Sequence, residues 1–388
     1  MANTRVGAGL STDIEASRAV AEAANEAAAG LAGEMPNLVV AMISSDHKEF
    51  ADEVAAMLGE RFPGAAVIGC TTDGVIANGR ELESGPAISL LCAFLPDTLV
   101  TPFGLRFFDA ADGEHEYRGW PDNVSPDASL ILLCDRFSFP AAHLLAELNE
   151  TRPGTIVIGG IVSGGSSPGD TRLFFGDRFF DDGAVAIAIS GRVRVKTMVS
   201  QGCRAVGKPL TITRADRNVI FEIAGQRPID ALRDIWTAAD PRDRMLMQDG
   251  LQLGRVVDEY IDEPGHGDFL IRPVMGGDSE SGVIAVGDVF EVGETVQFHV
   301  RDPAAADEDL RRCIDAIGDR PSGAVLFTCN GRGTNLFSEP DHDAAALQDG
   351  LGVPLVGMFC AGELGPVGGR NFMHGQTASV ALFVDSAL

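Results

Sequence analysis

Basic residues are in short supply: the chain has 30 Lys and Arg against 56 Asp and Glu, for a formal net charge of -26. That balance excludes electrostatic binding to nucleic-acid backbones or anionic lipid, although a small basic pocket stays compatible with it. The acidic residues are spread through the expected helices and loops, as in a solubilising surface. The seven cysteines form no CxxC pair and leave one over in any pairing scheme, which excludes a disulfide framework and points to reduced thiols in a reducing compartment. No apolar run reaches the roughly 18 residues a membrane helix needs, and the N-terminal MANTRVGAGLST lacks the apolar core of a secretory signal. A soluble cytoplasmic protein without membrane insertion is expected. Catalytic signatures are missing too: no paired carboxylates, no Ser-His-Asp arrangement and no dinucleotide fingerprint stand out. The Gly-rich stretch SGGSSPGD (Ser163 to Asp170) has no Walker lysine and reads as a hairpin loop. Cys70 and Cys360 are the candidate nucleophiles; no histidine lies near Cys70 in sequence, and no base or oxyanion constellation is visible.

What is present is a repeated phrase. NLVVAMIS (Asn37 to Ser44), a helix, AAVIGC (Ala65 to Cys70), TTDG and AISLLCAFL (Ala87 to Leu95) form the first copy. ASLILLCD (Ala128 to Asp135), a helix, TIVIGG (Thr155 to Gly160), IVSGG and GAVAIAIS (Gly183 to Ser190) form the second; GAVLFTCN (Gly323 to Asn330), a helix, PLVGMF (Pro354 to Phe359), CAGELG and ASVALFV (Ala378 to Val384) form the third. A helix between short, almost wholly apolar strands predicts a sheet buried by helices, and repeated units share a core and gather equivalent loops. At 388 residues the chain is expected to form two or three domains. Its fold class is α/β, with α+β as the alternative: two similar halves, each a strand-rich sheet covered by helices and built from β-α-β-β units.

Thr12 and Glu15 predict a capping box for a helix from Ile14 to Ala29. The stretch Glu49 to Phe62 carries Phe50, Val54, Met57 and Leu58 at helical spacing, ended by Pro63-Gly64. Residues from Arg192 to Gly207 read as one strand running into a turn at Gly207-Lys208-Pro209. Beyond it NVIFEIAG, RPIDALRDIW, DFLIRPV, GVIAVGD and TVQFHVRD suggest a degenerate fourth copy. The expected division is residues 1–34 as N-terminal helix and lead-in, 35–200 as a first domain and 201–388 as a second.

TCNGRGTNLF (Thr328 to Phe337), GVPLVGMFCAGELGP (Gly352 to Pro366) and FMHGQTASVALF (Phe372 to Phe383), with SQGCRAVGKPLTIT and FLIRPVMGGDSESG upstream, resemble the FIST C-terminal domain. VIGCTTDG (Val67 to Gly74) and its following strand resemble the FIST N-terminal domain, so the division becomes 35–200 FIST N-like and 201–388 FIST C-like. The resemblance implies a sensory module of intracellular signalling that binds a small ligand, without enzymatic chemistry. Its output would pass to a separate signalling protein such as a kinase or cyclase. Some relatives bind haem as nitric-oxide sensors, and others follow an F-box, for which no segment is seen here.

Within these motifs the residues singled out are few. Arg332, between Gly331 and Gly333 at a strand end, suits an anion; its alternative is a structural arginine paired to a carboxylate such as Glu363. Glu363 suits a ligand amine or Arg332, or else a turn. His374, with Gln376 and Thr377 beside it, forms the richest polar cassette, and a satisfied structural histidine is its alternative. Asn330, Cys70 and Thr72 complete the ligand-binding candidates, with Cys70 also readable as a packed strand-end residue. Cys329, Cys360 and His374 are weak metal candidates, because their spacing matches no zinc pattern. The leading expectation is a non-enzymatic small-ligand sensor, its ligand an amino acid or small anion. A haem-binding nitric-oxide sensor and a protein-interaction scaffold are the rivals.

Overall fold

The computed structural model describes residues 3–109, 115–122 and 124–386. The protein is mixed α/β, its sheets covered by helices. The backbone forms two compact units that interleave along the chain. One comprises Met1–Val199, Arg311–Met373 and Ala378–Leu388, and the other Ser200–Leu310 with His374–Thr377.

The first unit holds the three repeats, and each is built the same way. Leu38–Ser44 pairs parallel with Ala66–Thr72 and antiparallel with Ile88–Phe94. Ser129–Cys134 pairs parallel with Val157–Val162 and antiparallel with Ala184–Gly191; Gly323–Cys329 pairs parallel with Leu355–Val367 and antiparallel with Thr377–Asp385. Helices Ala51–Arg61, Ala141–Thr151 and His342–Leu351 make the crossovers. Both faces of these strands are covered, which is why they read as continuous apolar runs. Leu38, Val40 and Met42 join a core shared by both sheets, whereas Val39, Ala41 and Ile43 face the helices.

A backbone crossing repeats with the units. Gly69, Gly159 and Gly357 stand opposite Ala41, Leu132 and Leu326 on the neighbouring parallel strand. A Cβ on any of them would fall 1.9–2.5 Å from that residue's carbonyl oxygen. Only glycine fits such an approach.

The repeats also exchange strands in a ring. Val75–Ala77, from the first repeat, pairs antiparallel with Leu355–Val367 of the third. The third sends residues 360–364 to Val157–Val162 of the second, and the second sends Leu173–Phe175 to Ala66–Thr72 of the first. The outcome is a pseudo-threefold hub assembled from one chain.

Before the first repeat, Arg5–Ser11 forms a strand on Ile88–Phe94, an element not expected from the sequence. Gly7 and Gly9 let it lie directly on the helix Ala16–Ala29, where a Cβ would strike the Ala27 and Ala23 carbonyl oxygens. The expected capping box is not formed. Glu15 is the N-cap without a side-chain bond, and its N–H donates to Asp13 Oδ1 at 2.8 Å.

The second unit corrects the reading of a fourth repeat. Cys203–Asp216, Val219–Ile223, Ile284–Val286, Phe269–Gly277, Leu251–Val256 and Thr295–Arg301 close into a barrel in which every pairing is antiparallel. Leu246 and Met247, on helix Pro241–Gln248, complete its core. The expected single strand ahead of Gly207 is two strands, Val193–Gln201 and Cys203–Asp216. Lys208 and Pro209 lie inside the second, where the register jumps from Val206 to Leu210. A bulge accommodates the proline, which has no N–H for the ladder.

Candidate functional site

The hub brings together the loops that follow the second strand of each repeat. One step beyond the crossing glycines stand Cys70, Gly160 and Met358. Cys70 Sγ lies 3.4 Å from Met358 Sδ and 3.7 Å from Met42 Sδ, and a Cβ at Gly160 would lie 2.4 Å from Cys360 Sγ. Cys70 and Cys360 are fully buried, and desolvation pushes both thiols well above their ordinary value. Both serve as core residues here.

Above this sulfur layer the hub turns polar. Thr72 Oγ1 lies 2.9 Å and Ser163 Oγ 2.8 Å from the Phe359 carbonyl oxygen, and the two hydroxyls are 3.0 Å apart. Ser163 Oγ accepts from Asp73 N–H at 3.0 Å. One residue from each repeat thus ties the three loops together.

A cavity of about 200 Å³ opens beside this knot, lined by Asp73, Gly74, Glu83, Asn330, Asn335 and Phe359. Its walls are held from behind. Glu83 accepts from Thr334 N–H at 2.8 Å and from Thr334 Oγ1 at 2.7 Å, and Asn335 Nδ2 donates to the Asn330 carbonyl at 2.8 Å. Gly74 makes room for Phe359, since a Cβ there would fall 2.6 Å from the ring. Burial pushes the Asp73 carboxyl up, against the Ser45 hydroxyl bonded to it and the nearby Arg136. Asn330 N–H donates to the Cys360 carbonyl, while its Oδ1 is buried without a hydrogen-bond partner among the described residues. A buried acceptor in that state is one that a ligand's N–H or O–H, or an ordered water, can satisfy.

Arg332 is placed differently. It is fully buried, and its Nε and Nη2 grip the two oxygens of Asp343, each at 2.7 Å. Asp343 also accepts from Thr328 Oγ1 at 2.8 Å and lies 3.1 Å from His342 Nδ1. Burial alone would push the Asp343 carboxyl up; the guanidinium overrides it and holds the group well below the usual carboxylate range. The guanidinium carbon lies 5.3 Å from the centroid of the Phe337 ring, which stacks on His342 at 3.4 Å. The carboxylate that the fork grips is Asp343, while Glu363 lies buried opposite Gly160 in the strand ladder.

The remaining sequence candidates separate. His374, Gln376 and Thr377 group with the barrel unit. His374 is buried at the end of Arg370–His374, Gln376 adopts a left-handed backbone with its carbonyl accepting from Gly202 N–H, and Thr377 is buried at the start of the last strand. Asn330 lines the hub cavity and Thr72 stands behind it. Asp73, Glu83, Asn335, Phe359 and Asp343 were not singled out from the sequence. Asp73 sits inside the quoted TTDG, so its loop was legible; nothing marks Glu83 or Asp343 as neighbours of residues 251 or 11 positions away.

Cys329 and Cys360 are register partners, but no group of three or more His, Cys, Asp or Glu among the described residues has metal-holding geometry. Haem needs an axial ligand beside a cavity wide enough for the macrocycle. A cavity lined by His266 and His299 measures about 190 Å³, below the roughly 300–1,000 Å³ of pockets for drug-sized ligands. A cavity of about 600 Å³ between Phe103 and Phe180 has no His, Cys, Met or Tyr among the described residues of its wall. Neither fits haem.

No helix among the described residues is long and apolar enough to cross a membrane. The FIST N domain matches residues 37–226 and the FIST C domain residues 228–366. The chain is 45% identical over 386 residues to the uncharacterized protein Rv0628c of Mycobacterium tuberculosis, covering 98% of this chain and 100% of the relative. It is 41% identical over 386 residues to the uncharacterized protein Mb0898c of Mycobacterium bovis, covering 98% and 99%. With both domains matched in order and relatives aligned along nearly their whole length, the chain belongs to the FIST family, whose domains are sensor domains of signal transduction.

Proposed function

We propose that this protein is a non-enzymatic sensor that binds a small polar ligand in the hub cavity and passes the bound state to a separate signalling protein. The observation that carries this reading is Asn330 Oδ1, a buried acceptor without a partner among the described residues, at a cavity whose other polar walls are Asp73, Glu83 and Asn335. These groups favour a ligand rich in N–H or O–H donors, with the Phe359 ring against its carbon skeleton. The cavity draws its walls from loops of different repeats, so a ligand there would tie together segments far apart in the chain. That coupling is what a sensor needs in order to alter a surface seen by a kinase or cyclase.

Thermal unfolding with a panel of amino acids and small organic acids tests it. A ligand at a hundredfold excess over its Kd stabilises by about 2.7 kcal/mol. Asn330→Ala and Glu83→Gln should each abolish the response, and Asn330→Ala should do so without lowering the stability of the free protein, because it deletes an unsatisfied atom. A flat response across the panel, or a response both variants retain, would sink the reading.

A further inference from the structure

The barrel unit carries a second cavity with a different chemical logic. Along Thr295–Arg301 the side chains of Val296, Phe298 and Val300 enter the barrel core, which leaves Gln297 and His299 on the opposite face. There Gln201, Gln297, His299, His266 and Phe269 line a space of about 190 Å³. Gln201, Gln297 and His299 are 2%, 7% and 2% exposed.

Backbone carbonyls fix how each of these three groups is turned. Gln201 Nε2 donates to the Phe269 carbonyl at 2.7 Å and Gln297 Nε2 to the Gly207 carbonyl at 2.9 Å. A carbonyl only accepts, so each amide must present its N–H₂ to the backbone and its Oε1 away from it. His299 Nδ1 lies 2.9 Å from the Gln297 carbonyl, which places the proton on Nδ1 and a lone pair on Nε2. The ring is pinned across Gly254, where a Cβ would come 2.5 Å from Cε1, and against the edge of Phe269, with centroids 4.8 Å apart. Three nearly buried side chains thus offer acceptors, and Gln201 Oε1, Gln297 Oε1 and His299 Nε2 have no hydrogen-bond partner among the described residues.

We propose that this cavity is a second ligand site, taking a small primary amine or guanidine through N–H donation to Gln201 Oε1, Gln297 Oε1 and His299 Nε2. Six waters would fill a volume of this size at roughly 30 Å³ each, so the ligand is a compact one. The Phe269 ring suits a cationic nitrogen. Arg204 at the rim does not oppose it, because its charge is met by Asp243 and Asp302. An acceptor-only ligand such as a carboxylate finds no matching donors among these three groups.

The experiment is nitrogen-detected NMR of the full chain labelled at histidine, titrated with n-propylammonium chloride and, separately, with sodium propionate. The amine should shift the His299 Nε2 resonance saturably and propionate should not. Gln297→Met, which keeps the length of the side chain and removes one acceptor, should weaken the amine about tenfold. Asn330→Ala should leave this response intact, which separates it from the hub reading. The absence of a saturable shift, an equal effect of propionate, or an unchanged affinity in Gln297→Met overturns the proposal. Should the Gln297→Met chain fail to fold, the comparison of amine with propionate decides alone.

Discussion

The hub and the barrel bury polar groups in opposite ways. In the hub, strands are apolar on both faces, and charge inside is neutralised by its complement, as Arg332 is by Asp343 with neither side chain exposed. In the barrel, the strand Thr295–Arg301 is apolar toward the core, and its other face carries the neutral Gln297 and His299, held by backbone carbonyls, while Arg204 keeps its head partly in solvent between Asp243 and Asp302. The difference teaches that a buried guanidinium beside a glycine turn can be met by a carboxylate of the fold, as Nε and Nη2 of Arg332 are by Asp343. Uncharged acceptors such as Asn330 Oδ1 and His299 Nε2 lack a hydrogen-bond partner among the described residues.

The largest way to break this comparison is to remove one member of each ion pair. Arg332→Met should cost about 3–5 kcal/mol by leaving Asp343 charged and buried, whereas Arg204→Met should cost about 1 kcal/mol, since the buried Asp302 keeps Arg242 at 2.7 Å and Asp243 is partly exposed. Denaturant unfolding of both variants measures the contrast, and equal losses would erase it.

Acid and base should then separate the regions. Burial pushes His299 down to about 4 from an ordinary 6.5, so the unfolded chain takes up the proton first. Its contribution is complete above pH 6.5 and is lost as the pH falls toward 4, by up to about 3 kcal/mol. In the hub unit, burial, aided by Asp343, pushes Glu81 up to about 8 from 4.5. That contribution is present below pH 4.5 and is lost as the pH rises toward 8. Hydrogen exchange followed in each unit should therefore show opposite pH trends, and a common trend would contradict the two assignments.

Glycine substitutions are the finest probe. Gly357→Ala, at the hub crossing, should destabilise by about 1–3 kcal/mol, because its Cβ would meet the Leu326 carbonyl oxygen at 2.2 Å. In the barrel, Gly276→Ala meets nothing within 4 Å and should change stability by less than about 0.5 kcal/mol.

The same contrast explains what could be read in advance. Apolar runs such as Leu38–Ser44 and Ser129–Cys134 announced themselves because both faces are covered, so the three repeats and their crossover helices were legible. The barrel was not, because bulges at Val206–Leu210 and Ile212–Arg214 interrupt the alternation that marks a half-buried strand. Asn330 and the TTDG loop were legible as strand-end chemistry. Their meeting with Glu83 was not, since it depends on which repeat lends its hairpin to which. Arg332 stood out through its flanking glycines, yet the partner that defines it sits in the first turn of the next helix, where an aspartate is unremarked.

The ring of exchanged strands also has a consequence in time. A ribosome delivers the first two repeats long before Leu355–Val367, the segment that receives Val75–Ala77 and covers Val157–Val162. Until then two strand edges of the nascent chain lack their final neighbour while the whole barrel segment is being made. The hub is therefore sealed only once Leu355–Val367 has emerged, and the exposed interval before it is when this chain most needs protection from wrong pairings.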